Sequence, residues 1–209
     1  MSLYRYDIQQ NTQEWITAKL GKFSASSAAE LLMKNTNEGY KNLIKRIVEE
    51  RITGEPIEGR WNGNKFTERG HDFEPMAIER FELSTFTKVN RVGIVEMNEW
   101  VCCSPDGLIN ENGLIQVKNP IFSTQYDYLF DIDGNLTEIS KPPTNYYKQM
   151  QFELFITERE YNIFYSVHPK LPEIKIKIYR DETLIKEIQD KLVIAINEVQ
   201  KRIEQIRSS

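Results

Sequence analysis

Apolar residues recur along the chain at two different spacings, and the spacing changes near residue 89. Before that point the spacing is helical: apolar residues at 43, 44, 47, 48 and 52 form one stripe, which Gly54 closes. Cap and stop residues predict three further helices, over 12–20, over 25–34 behind a capping Ser24, and over 71–85. Residues 53–64, rich in Gly, Pro and Asn, are predicted to form a loop.

From Val89 onward, short runs of β-forming residues lie between turn residues, a pattern typical of strands. Three strands are predicted within 92–120, followed by a helix over 146–157, two strands over 161–180 and an amphipathic helix over 182–207. This order predicts an α/β (α+β) fold, in which a mixed sheet carries helices on both faces. The length of 209 residues favours a single domain spanning 1–209.

Composition narrows the function classes. The net charge of −4 argues against a uniformly basic nucleic-acid binder, although a local basic groove remains compatible with it. Cys102 and Cys103 are adjacent and no CxxC motif is present, which argues against a zinc site and fits a reducing cytoplasm. The polar N-terminal segment predicts no signal peptide, and no apolar run is long enough to span a membrane.

The stretch "SPDGLINENGLIQVKNP" places candidate chemistry on two neighbouring strands. Asp106 ends one strand, while Gln116 and Lys118 lie two apart on the next and therefore share a face. An acid beside a lysine at a sheet edge suits metal-assisted phosphodiester hydrolysis, because Mg²⁺ prefers oxygen ligands and a lysine can stabilise transition-state charge. The backbone carbonyl of Val117 is a further candidate ligand. A common turn followed by a solvated lysine would give the same pattern.

These residues resemble the core of the PD-(D/E)xK nucleases, and specifically the lambda-exonuclease or YqaJ-type alkaline exonucleases. Three other segments resemble that family in the same order: "EWITAKLGKFSASSAAELL", "RGHDFEPMAIERFE" and "YYKQMQFELFIT". The similarity covers about residues 12–170. It implies a restriction-endonuclease-like core.

The resemblance also implies a role for each matching residue. Asp106, Gln116, the Val117 carbonyl and Glu74 would hold Mg²⁺, for which Mn²⁺ can substitute. Lys118 would be the catalytic lysine, and Gln149 would lie beside the scissile phosphate. Ser26 and Lys19 would hold the 5′-phosphate of the strand, since a helix start offers free N–H groups to an anion. Ser26 as a simple cap and Gln149 as a solvated residue are the alternatives.

Contacts to DNA phosphates are expected from basic residues that follow one another along the first half of the chain. The candidates are Lys41, Lys45, Arg46, Arg60, Lys65 and Arg69. Trp61, beside Arg60, is either a wedge against the terminal base pair or a lid on the core.

The function that the resemblance implies is Mg²⁺-dependent 5′→3′ exonuclease activity on linear double-stranded DNA in phage-type recombination. It further implies a homotrimer and a partner protein that anneals single strands. Two other functions remain open: a restriction or repair endonuclease of the same fold, and a catalytically silent protein that binds DNA ends.

Gln116 departs from the family pattern, which has Glu at this position. Three interpretations are open: a substitution made to inactivate the enzyme, a natural Gln compensated by another carboxylate such as Glu153, or a relative that only binds DNA. The first is preferred because Asp106, Lys118 and Glu74 are all retained.

We expect Gln116→Glu to raise Mg²⁺-dependent digestion of linear duplex DNA by orders of magnitude, because it restores one negative charge for the cation. The check is the rate of nucleotide release by the two proteins at equal concentration. Equal, high rates for both would contradict the interpretation that Gln116 inactivates the chain.

Overall fold

A computed structural model describes residues 2–57, 65–131 and 133–209, and for residues 65–72 the backbone alone. Two of the predicted DNA-binding residues, Arg60 and Trp61, therefore lie outside the described residues. The same holds for the side chains of Lys65 and Arg69.

The described residues form nine strands and seven α-helices, with one short 3₁₀ helix over Ala25–Ser27. The strands are β1 Leu3–Arg5, β2 Phe23–Ser24, β3 Val89–Asn90, β4 Ile94–Glu96, β5 Val101–Cys103, β6 Gly107–Ile109, β7 Gly113–Lys118, β8 Tyr161–His168 and β9 Leu171–Tyr179. The helices are α1 Gln13–Lys19, α2 Ala28–Leu31, α3 Glu38–Thr53, α4 Lys65–Thr85, α5 Phe122–Leu129, α6 Thr144–Thr157 and α7 Glu182–Arg207.

The strands form two mixed sheets, whereas the order of predicted elements indicates one. The first sheet has the order β1-β4-β5-β2 and the second the order β3-β6-β7-β8-β9. Each contains one parallel pair, β2–β5 in the first and β7–β8 in the second, among antiparallel neighbours. The predicted α/β class is therefore confirmed, and the chain crosses from one sheet to the other between Cys103 and Gly107.

The two largest of four apolar clusters among the described residues pack helices α3, α4, α6 and α7 against these sheets. The larger one joins α3, α6 and α7 to the first sheet, and α7 contributes buried residues at helical spacing: Ile185, Ile188, Leu192, Ala195, Val199 and Ile203. The second cluster packs Ala77, Ile78 and Phe81 of α4 on the second sheet. Because α4 is fixed to that sheet through this face, Glu74 is held close to the end of β6 and β7.

The helix predicted over residues 25–34 is wrong in extent. The chain makes one 3₁₀ turn and then the four-residue helix α2. Ser24 makes no capping hydrogen bond; its hydroxyl instead contacts the Ser26 hydroxyl at 2.9 Å. Local bonding of this kind by serine competes with regular helix formation.

Other helix predictions hold with shifted boundaries. Thr12 caps α1, and α3 ends at Gly54 as predicted, with Gly54 in the left-handed conformation. The helix predicted from residue 71 begins instead at Lys65. Helix α5 and the short strands β1, β2 and β3 were not predicted, since each is too short to establish a periodicity.

Gly93 allows the N-terminal segment to approach the sheet closely. A Cβ atom added there would lie 1.9 Å from the carbonyl oxygen of Ile8. The indole N–H of Trp15 donates to the Gly93 carbonyl at 3.1 Å and to the Ser104 hydroxyl at 2.8 Å. This contact fixes α1 against the segment that leads into Asp106.

We expect Gly93→Ala to lower the free energy of unfolding by about 3 kcal/mol, because backbone atoms on both sides would have to move apart. Gly54→Ala is the control: no atom lies within 4 Å of its added Cβ. Only its left-handed backbone, with φ of +70°, opposes that substitution, at about 1 kcal/mol. Urea denaturation measures both, and equal losses would contradict the close approach at Gly93.

Candidate active site

Asp106 lies where the chain passes from the first sheet into the second. The antiparallel pairing of β6 with β7 sets Gly107 opposite Ile115, so Asp106 comes alongside the next two residues of β7. Its Oδ2 atom accepts a hydrogen bond from the backbone N–H of Val117 at 2.7 Å and another from the side-chain amide of Gln116. The predicted proximity of Asp106 to Gln116 is thus present in the structure.

A chain of hydrogen bonds continues from Gln116 into the protein interior. The Nε2 atom of Gln149 donates to Gln116 Oε1 at 2.8 Å and to Glu153 Oε1 at 3.0 Å. Asn162 Nδ2 on β8 donates to the other oxygen of Glu153 at 2.9 Å. Gln149 and Glu153 lie one turn apart on α6 and therefore face the same way.

These interior members are removed from solvent. Gln116 is 2% exposed, and Glu153 and Asn162 are 0% exposed. A buried carboxylate is costly unless it is hydrogen-bonded, and Glu153 accepts a bond on each oxygen. The network thus carries a carboxyl group into the core with both of its oxygens hydrogen-bonded.

The electrostatics of the site centre on an excess of negative charge. Burial raises the pKa of Asp106 to about 7; Lys118 opposes the rise, while Glu74 and Glu153 add to it. Burial also raises the pKa of Glu153, against the lowering effect of its hydrogen bonds with Gln149 and Asn162. Like charges that share a site disfavour ionisation of one another, so a bound cation would relieve the strain.

Lys118 ends β7, and its side chain is partly exposed. Its Nζ atom lies 4.8 Å from the centre of the Tyr146 ring, and its charge acts on both Asp106 and Glu153. The structure therefore brings Lys118 within electrostatic reach of Asp106. The prediction that Asp106 ends a strand is wrong: Asp106 directly precedes β6, because Ser104 and Pro105 interrupt the predicted strand and divide it into β5 and β6.

Glu74 reaches the site through Arg91, a residue that the sequence analysis missed. The Nη1 atom of Arg91 bonds to the Glu74 carboxylate and also donates to the backbone carbonyl of Asp106 at 3.3 Å. Arg91 directly follows β3, which pairs with β6 and so lies beside the Asp106 turn. A single arginine after a two-residue strand carries no pattern by which the sequence could have indicated this role.

The oxygen donors present fit a hard divalent cation. Asp106 and Glu74 supply carboxylates and Val117 a backbone carbonyl, which match the one or two carboxylates that hold Mg²⁺ beside water and substrate phosphate. In the part of the chain that the structure describes, no cluster of three or more His, Cys, Asp or Glu side chains forms a complete metal cage. The assignments of Asp106, Gln116, Val117 and Glu74 as metal ligands stay predictions.

The two residues predicted to bind the 5′-phosphate differ in accessibility. Ser26 is exposed, but it lies in a 3₁₀ turn, so the expected start of a longer helix is absent there. Lys19 is 5% exposed, with Nζ 4.0 Å from the centre of the Trp15 ring. Its charge lowers the pKa of Glu153, which places Lys19 within electrostatic reach of the interior end of the network. Their phosphate-binding role stays a prediction.

The remaining basic candidates within the described residues lie on α3. Lys41 and Lys45 are exposed and Arg46 is half-buried. Helix α3 packs mainly against α7, whereas the site is built from β6, β7, α4 and α6. Their contact with DNA is therefore still a prediction.

A family model described as the YqaJ-like viral recombinase domain matches residues 14–160. The chain belongs to the YqaJ-like viral recombinase family. The matched range contains Asp106, Gln116, Lys118, Glu74 and Gln149, and it ends before Asn162.

Solved structures agree with this membership. The crystal structure of an alkaline exonuclease, LHK-Exo, from Laribacter hongkongensis is 30% identical, with 94% of this chain and 97% of that chain covered and a TM-score of 0.82. The same exonuclease in complex with dAMP gives a TM-score of 0.83 at 30% identity, with the same coverage.

A phage-related exonuclease from Haemophilus somnus 129PT shares the fold at 16% identity, covering 88% of this chain and 96% of that one, with a TM-score of 0.67. No protein of curated function matches the chain.

The YqaJ-like chain is thus a member of a nuclease family of phage-type recombination, and the resemblance stated from its motifs is confirmed. None of its described helices has the length and apolar character needed to cross a membrane.

In the YqaJ-like chain, the raised pKa of Asp106 predicts a pH-dependent stability. Between about pH 4 and pH 7 the folded chain binds more protons than the unfolded chain, because an unperturbed Asp titrates near 3.9. The free energy of unfolding therefore falls as pH rises through this window, by up to about 4 kcal/mol.

Asp106→Asn should remove most of this fall and make the chain more stable than the parent at pH 8 in metal-free buffer. Denaturation at pH 5 and pH 8 with a chelator present measures the effect. Asp127→Asn, at an exposed position on α5, is the control and should keep the parent's pH dependence. An unchanged slope in Asp106→Asn would show that the carboxyl is not strained by burial.

Proposed function

We propose that this YqaJ-like chain is a metal-dependent exonuclease that degrades one strand of linear double-stranded DNA from its 5′ end during phage-type recombination. The observation that carries the proposal is the half-buried Asp106 carboxyl, which accepts a hydrogen bond from Gln116 and lies within electrostatic reach of Lys118 and Glu74. The complex of the 30%-identical LHK-Exo with dAMP supports a nucleotide-binding site in this fold.

Each residue has a task that follows from its chemistry. A Mg²⁺ or Mn²⁺ ion bound there would polarise the phosphodiester and lower the pKa of its bound water. Asp106 and Glu74 would hold the ion, with Arg91 orienting Glu74. Lys118, as a partly exposed ammonium at the end of β7, would stabilise negative charge on the phosphate. Gln149 would keep the Gln116 side chain in place.

The substrate and assembly belong to the same proposal. Ser26 and Lys19 would hold the 5′-phosphate, and the phosphate backbone would be followed without sequence preference by Arg46, Arg60 and Trp61 or their neighbours. A net charge of −4 requires this contact surface to be local. The active form would be a homotrimer that acts in the cytoplasm with a single-strand annealing protein.

One observation favours a second function, binding of DNA ends without cleavage. The amide of Gln116 already donates to Asp106, so that carboxylate has a partner in the absence of a cation. A neutral donor at this position satisfies Asp106 but supplies no charge to a metal. A catalytically silent end-binding protein would have such a site.

Digestion of linear and closed circular DNA separates these functions. With Mg²⁺, we expect Gln116→Glu, in which the missing charge is restored, to shorten 5′-phosphorylated linear duplex faster than the parent does and to leave closed circles of the same sequence intact. In the Gln116→Glu background, Asp106→Asn and Lys118→Ala should each reduce nucleotide release by at least about a hundredfold, the size of typical losses of one charge-stabilising group. Asp127→Asn should leave the rate in that background unchanged.

Cleavage of closed circles would favour the endonuclease alternative. Retention of linear ends without digestion, by both the parent and Gln116→Glu, would support the end-binding function and refute the exonuclease.

A further inference from the structure

The hydrogen-bond chain from Asp106 to Glu153 has a fixed direction. Asp106 and Glu153 stand at its two ends, and the geometry makes both ends acceptors: Asp106 Oδ2 also accepts the Val117 N–H, and each Glu153 oxygen accepts a side-chain amide. The two amides between them must therefore each present an N–H group toward their carboxyl group.

The geometry of the two glutamines obeys this constraint. Gln149 turns its nitrogen toward both Glu153 Oε1, at 3.0 Å, and Gln116 Oε1, at 2.8 Å. Gln116 consequently points its oxygen at Gln149 and its nitrogen at Asp106. The carbonyl oxygen of Gln116, which is its only metal-binding atom, thus faces away from the Asp106 carboxylate.

For Gln116 to become a metal ligand, the side-chain amides of Gln116 and Gln149 would have to rotate together. If the Gln116 oxygen faced the cation, its nitrogen would face Gln149, which would then have to present its own oxygen. That oxygen would also face Glu153, and two acceptors in a buried site repel each other and leave polar atoms unsatisfied. Asn162 holds the second Glu153 oxygen at 2.9 Å, so the carboxylate cannot easily turn away.

We propose that Glu153 is a positioning residue that locks Gln116 as a hydrogen-bond donor to Asp106 and keeps its carbonyl out of the metal's coordination sphere. The charge that holds the cation then comes from Asp106 and Glu74, and Glu153 acts at a distance through Gln149. This inference rests on the proposed function, because it concerns the cation of that same site.

The test is a double-mutant cycle read by Mn²⁺ affinity without DNA. Titration calorimetry compares four proteins: the parent, Glu153→Gln, Gln116→Glu, and the chain with both substitutions. In the Gln116→Glu background, Glu153→Gln should weaken Mn²⁺ binding, because it removes a nearby buried negative charge. In the parent background, the Gln116 carbonyl is freed to bind the cation and offsets that loss. For each background we take the ratio of the Mn²⁺ dissociation constants with and without Glu153→Gln. The two ratios should differ by at least about fivefold, a coupling expected within one hydrogen-bond network.

A matched control distinguishes this coupling from the general effect of removing a buried negative charge. Glu50, on α3, is 1% exposed and accepts a bond from the Gly21 N–H at 2.9 Å, so it is a buried acid on a helix that contributes no residue to the chain from Asp106 to Glu153. Glu50→Gln should change Mn²⁺ affinity by the same ratio in both backgrounds. Thermal melts of each variant report whether it folds.

Gln149→Met is a second variant that leaves the charge unchanged. It removes the donor that holds the Gln116 carbonyl, so it should tighten Mn²⁺ binding in the parent background and not in Gln116→Glu. If Glu153→Gln does not fold, Gln149→Met tests on its own whether Gln116 is locked as a donor to Asp106. A Mn²⁺-loaded crystal of the parent should show Gln116 Oε1 outside the coordination sphere.

Equal ratios within twofold in the two backgrounds, or Gln116 Oε1 bound to Mn²⁺ in the parent, would overturn the inference. If Mn²⁺ binds and linear DNA is digested while the ratios are equal, only this inference fails. If none of the proteins binds Mn²⁺, both it and the metal-dependent nuclease function fail.

Discussion

The site depends on one constraint: the Asp106 carboxyl is half-buried where two sheets meet, among other acids and without an ion pair to any lysine or arginine side chain that the structure describes. Burial raises its pKa to about 7, and the charges of Glu74 and Glu153 act in the same direction. A protein tolerates such a strained acid when the strain serves function. The fold supplies the position, since the crossing from β5 to β6 places Asp106 beside β7.

The interior network gives that acid its surroundings. From Gln116 to Asn162, the bonds link β7, α6 and β8 in one continuous path. Because α6 is buried from Met150 to Thr157, its polar residues Gln151 and Glu153 must find partners inside the protein. The orientation of Gln116 is therefore set by groups on α6 and β8. Its amide donates a hydrogen bond to Asp106, which a cation-binding carboxylate at this position would not make.

Much of this could be predicted from the sequence, because local patterns determine it. Strand alternation placed Gln116 and Lys118 on one face, and the helical stripe on α7 matched its buried residues. The split into two sheets could not be predicted, since β1, β2 and β3 have only two or three residues each. Arg91 and Asn162 reach the site through tertiary pairing, for which a single sequence holds no signal. Ser24 was misassigned because a serine suits a cap and a local turn equally well.

The central claim is that a divalent cation binds at Asp106. Anomalous diffraction from a crystal soaked in Mn²⁺ tests it most directly. The account predicts a single strong peak at coordination distance, about 2.2 Å, from an Asp106 carboxylate oxygen. A peak elsewhere, or no peak at Asp106 under soaking that saturates other sites, would contradict it.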